Sequence, residues 1–159
     1  MWFFMITCYI FSTISFLMLL TVFAQSFYPF KIIHASALSF LILTSIIYLF
    51  TETLIMFFFV GTGVSIKEYM LEQKIYGDFH QRSIGVKRRV YPPQLLNLLI
   101  LMIAFILFGA ADTQKISPWL YRAVLAVGII QFIDAKLIQN ICFRDNTKII
   151  LDMSGIKRA

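Results

Sequence analysis

Four long apolar stretches, separated by short segments that hold nearly all of the charge, constrain this chain more than any other feature. The stretches cover about 2–26, 32–60, 94–111 and 118–142. Each reaches or approaches the roughly 20 apolar residues that cross a hydrocarbon core of about 30 Å. A chain of 159 residues patterned this way has little mass left outside a bilayer. The expectation is an all-α fold: one integral membrane domain, 1–159, built as a four-transmembrane-helix bundle. Composition agrees, with 60% hydrophobic residues, 14% charged residues and a mean hydropathy of +0.83. A soluble domain carries nearer a quarter charged residues.

The first stretch has Val22-Phe23-Ala24, which resembles a signal-peptidase site. Yet Met1-Trp2-Phe3-Phe4 offers no positive leader, and the apolar run is longer than a signal peptide needs. It reads as a retained membrane helix. After the second stretch, Gly61-Thr62-Gly63 predicts a break. Ser65-Ile66-Lys67-Glu68 then has the form of a capping box, in which the serine accepts from the Glu68 backbone and the glutamate reaches back. A short amphipathic helix from Ser65 to about Gly77, lying in the cytoplasmic interface, is expected. That helix belongs to a basic cytoplasmic segment, 64–92, whose remainder, 78–92, is expected as a loop. Pro92 and Pro93 are expected to open the third helix, where a missing N–H costs nothing. Ser117-Pro118 signals the start of the fourth, and 143–159 forms a basic tail.

The net charge of +6 is topological. The 64–92 segment and the tail hold ten lysines and arginines near helix ends, against Lys31, Lys115 and Arg122 on the other side. By the positive-inside rule both termini are cytoplasmic, in a bacterial inner membrane or its equivalent. Arg82, Lys87, Arg88 and Arg89 would then form a surface for anionic lipid or an acidic partner. Nucleic acid is not an expected partner.

Polar residues at membrane depth are functional candidates by default. On the second stretch His34, Ser45, Tyr48 and Glu52 fall on one helical face at 100° per residue. On the fourth, Gln131 and Asp134 share a face, while Asp134 and Lys136, two apart, point in different directions. Lys136 is expected to snorkel to the headgroups, and Asp134 needs a partner on another helix or a proton. Glu52 and Asp134 lie at similar depth. These seven residues are the expected intramembrane polar network.

Several chemistries lack their parts. His34 and His80 sit on opposite sides, so one chain cannot hold a bis-histidine haem within the membrane. Cys8 and Cys142 form no CxxC, and the histidines and cysteines do not make a zinc site. Gly61-Thr62-Gly63 has no Gly-Lys-Ser/Thr after it and is no phosphate loop. No catalytic, cofactor or metal site is therefore expected. The sequence points to a non-catalytic subunit or accessory protein of a larger membrane complex, with other membrane subunits or further copies of itself as partners. The alternatives are a small homodimeric transporter with Glu52 as its proton-coupling carboxylate, and a lipid- or quinone-binding anchor.

Overall fold

The computed structural model describes residues 2–28 and 36–155. Four helices account for most of them: α1 (Trp2–Gln25), α2 (Ala37–Glu72), α3 (Phe79–Asp112) and α4 (Pro118–Met153). All four are long and apolar enough to cross a membrane. Each helix contacts the next, and α4 also contacts α1, with the broadest contact between α3 and α4. This is an up-down-up-down bundle in which α2 and α4 face each other across a diagonal.

Three of the helices, α2, α3 and α4, are longer than the apolar stretches predict. At 1.5 Å per residue, the 36 residues of α2 and of α4 span about 54 Å, well beyond a hydrocarbon core of about 30 Å. The 24 residues of α1 span about 36 Å. Phe4 of α1 packs on Phe58, and Tyr9 on Phe143, so the start of α1 and the latter parts of α2 and α4 lie at one end. Beyond Phe3, three helices continue into a charged extension.

Here the expected boundaries are corrected. Gly61-Thr62-Gly63 does not interrupt α2, and no separate interfacial helix begins at Ser65. Ile66 is 1% exposed and packs with Val86 and Ile149. Tertiary burial of that apolar face carries the helix through the glycines, whose propensity cost is only about 1 kcal/mol each. The expected basic loop is instead the first part of α3, and Pro92 and Pro93 lie inside that helix. Each proline leaves one backbone carbonyl, of Arg88 or Arg89, without its usual N–H partner. Both fall where α3 turns from charged to apolar, a level at which water or headgroups can satisfy them. The tail is likewise helical to Met153.

Helix starts follow local chemistry. Ser36 caps α2 through a 3.2 Å bond from the Ser39 amide to its hydroxyl, as an N-cap serine does. Pro118 occupies the first turn of α4. The α2–α3 and α3–α4 connections turn through left-handed Lys74 (φ 50°) and Gln114 (φ 57°).

The bundle holds two apolar clusters. One, toward the charged end, includes Cys8, Ile55, Phe59, Val90 and Phe143. The other includes Leu19, Tyr48, Leu101, Leu125 and Phe132. On every helix a polar residue stands between its contributions to the two clusters. That shared level is where the candidate site lies.

Candidate functional site

Glu52 is 3% exposed and both of its carboxylate oxygens accept hydrogen bonds. Lys136 Nζ donates to Oε1 at 2.7 Å, across the α2–α4 diagonal. Gln94 Nε2 donates to Oε2 at 2.7 Å and to the Glu52 backbone carbonyl at 3.1 Å. Lys136 also donates to Gln139 Oε1 at 3.0 Å and lies 4.8 Å from the centroid of the Phe132 ring. Beside this group the Ser15 and Thr51 hydroxyls meet at 2.9 Å. The result is a polar layer to which all four helices contribute.

A second group sits one turn toward the α3–α4 loop. Tyr48 donates to Asn97 Oδ1 at 2.7 Å, and Asn97 Nδ2 donates to the Gly128 carbonyl at 2.8 Å. The contact depends on Gly128. A Cβ there would lie 2.6 Å from Leu101 Cδ2, so any larger residue would require the buried Leu101 side chain to move.

The expected network is thus brought together only in part. Glu52 and Lys136 pair directly. Lys136 turns inward instead of snorkelling to headgroups, because Glu52 supplies its counter-charge inside the bundle. Tyr48 is buried near the pair but bonds to Asn97. Ser45 bonds to the Leu41 carbonyl of its own helix at 2.8 Å and joins no other side chain among the described residues. Gln131 is half-buried and makes no hydrogen bond among the described residues. Asp134 is exposed on the outer surface of α4, among exposed Val127, Ile130 and Leu137. His34 lies outside the described residues.

The basic cluster divides as well. Arg82 pairs with Asp152 at 3.0 Å, and Arg89 with Asp145 at 3.9 Å, both across α3 and α4. Lys87 folds against α2, its ammonium occupying the space a Cβ on Gly63 would need. Arg88 is exposed and has no partner among the described residues. At the opposite end Arg122 donates to the Ser26 carbonyl and lies 4.7 Å from the Phe27 ring centroid and 5.4 Å from that of Trp119.

Gln94 and Asn97 were missed from the sequence. A signal existed: Gln94 and Asn97 stand three apart in an otherwise apolar helix, the spacing that places two residues on one face. Among the described residues no three histidine, cysteine, aspartate or glutamate side chains gather as a metal site would require. Comparison with protein-family models, with curated proteins and with solved structures gave no match.

Proposed function

We propose that this protein is a small, non-catalytic integral subunit of a larger membrane assembly, with both termini on the cytoplasmic side. The exposure of Asp134 carries the reading. It lies 16 residues, about 24 Å, after Pro118 and within about 3 Å along the axis of Lys136. That is membrane depth, and its neighbours on the surface are apolar. A carboxylate facing hydrocarbon costs several kcal/mol. A helix of another subunit, bearing a hydrogen-bond donor at that level, removes the cost. Ala123, Val127, Ile130, Asp134 and Leu137 alternate by four and three and present one exposed seam, the spacing a left-handed helix pair uses.

The charged extension bears most of the basic residues, and the positive-inside rule places it in the cytoplasm. Arg88 and Arg144 are exposed and stand outside the ion pairs, available to anionic headgroups, since Arg82 and Arg89 engage α4. The proton-coupled reading is the weaker one, because both oxygens of Glu52 are held by Gln94 and Lys136. The test is co-purification from the native membrane. Asp134→Leu should leave the bundle folded and release the partner subunits, whereas Asp134→Asn should retain them in part. A leucine variant that keeps every partner at wild-type stoichiometry would sink the proposal.

A further inference from the structure

The α1–α4 contact is the least extensive of the four between neighbouring helices. Between these helices a cleft of about 460 Å³ opens on the bundle surface, at the level of the polar layer. Its wall is apolar: Phe16, Phe132, Ile133 and Leu137, of which Ile133 and Leu137 are 45% and 60% exposed at the mouth. Its floor is polar and one-sided in hydrogen-bonding character. Ser12 is 9% exposed, and its hydroxyl has no hydrogen-bond partner. Other hydroxyls of the same helix are satisfied. Thr7, Thr13 and Thr21 each donate to the carbonyl four residues back, and Ser15 meets Thr51. Gln139 spends its carbonyl oxygen on Lys136, which leaves its amide N–H groups without an acceptor among the described residues. Lys136 itself makes two hydrogen bonds to oxygen and has three protons to give.

The unused polar capacity of the cleft is therefore mainly that of donors, deep in a pocket whose mouth is apolar. A buried polar group without a partner costs free energy that a bound acceptor would recover. We propose that the α1–α4 cleft binds a membrane-soluble molecule with an apolar body and an acceptor carbonyl oxygen, taken by Ser12, Gln139 and Lys136. Its volume lies within the range of small-molecule sites. Two sources supply this chemistry: the ester carbonyl of a diacyl lipid, and the ring carbonyl of a tailed quinone. The cleft and the Asp134 seam meet at Leu137, but the floor residues Ser12, Gln139 and Lys136 belong to the cleft alone, so Ser12 variants test this site and Asp134 variants test the subunit reading.

The experiment uses the full chain in nanodiscs with two photoreactive probes. One is a diacyl phosphatidylglycerol with a diazirine near its ester groups, the other a decyl-benzoquinone with a diazirine on its tail. Labelled residues are mapped by peptide mass spectrometry. Labelling should concentrate at Phe16, Phe132 and Leu137, and the probe that labels, and that excess of its unlabelled parent displaces, identifies the source. Ser12→Ala should weaken labelling by about two- to tenfold, the worth of one hydrogen bond, with thermal stability unchanged or raised. Ser12→Phe should fill the cleft and abolish labelling there, while labelling of exposed Phe57, which is not part of the cleft, persists. Labelling of the cleft by neither probe, or equal labelling in wild type and both variants, would overturn the proposal.

Discussion

A lysine and a glutamate buried together make each other tolerable and neither one expendable. Removing one partner of such a pair leaves the other charged and uncompensated, at about 3–5 kcal/mol. Glu52→Leu should therefore destabilise the bundle by about that amount. Glu52→Leu with Lys136→Leu should recover most of the loss, because replacing both ions with apolar groups is often neutral. Thermal unfolding of the three variants in one detergent checks this; a double variant no better than the worse single one contradicts it. Asn97 makes a gentler case. Asn97→Leu removes the acceptor for Tyr48 and the donor to Gly128, and should cost about 1–2 kcal/mol, in the range of interhelical hydrogen bonds in membranes. Gly128→Ala should cost as much or more, because the added methyl meets Leu101 at 2.6 Å.

At the scale of elements, the helical character of the apolar stretches was legible, as were both ends of α1, the end of α3 and the start of α4, whereas the helix ends on the charged side were not. Hydropathy marks where a helix enters lipid, and it is silent on a helix that continues past the interface into contact with its neighbours. Gly61-Thr62-Gly63 and Pro92-Pro93 are strong local breakers, but Ile66, Val86, Val90 and Ile149 form a shared core beyond them. That core outweighs local propensity, and nothing within a single segment announces it. The candidate site divides for a similar reason. Glu52 and Tyr48 could be placed on one face by angle alone, whereas the Glu52–Lys136 pairing depends on how α2 and α4 rotate against each other. A direct test of α2 uses spin labels at the exposed positions Phe50 and Leu71. A continuous helix separates their backbones by about 32 Å. A distance below about 25 Å would restore a break at the glycines.

For the whole molecule, the asymmetry between its ends is the main feature. One end carries the short α3–α4 turn, near Arg122 and Lys115. The other extends three helices beyond the start of α1, tied by Arg82–Asp152 and Arg89–Asp145. With that extension in the cytoplasm, a cysteine placed at Ile84 should be shielded from membrane-impermeant reagents in sealed cells, and one placed at Lys115 should react. Labelling of position 84 from outside would invert the orientation. The surface ion pairs are half-exposed, so they should matter little to overall stability and weaken in high salt. The rigidity of the extension comes from its apolar core, and Ile66→Asp should loosen it far more than Arg82→Gln. Limited proteolysis of α2 and α3 beyond the membrane would register the difference.

The diagonal pairing also carries a timetable. Glu52 is made 84 residues before Lys136. At about 5–20 residues per second, that is a wait of about 4–17 s during synthesis. Over that interval the second helix must enter the bilayer with a carboxylate whose counter-ion does not yet exist. Gln94, made earlier than Lys136, is the first donor able to meet it. A chain that stops before the fourth helix therefore carries an acid in the membrane that has a neutral donor, Gln94, and no counter-ion.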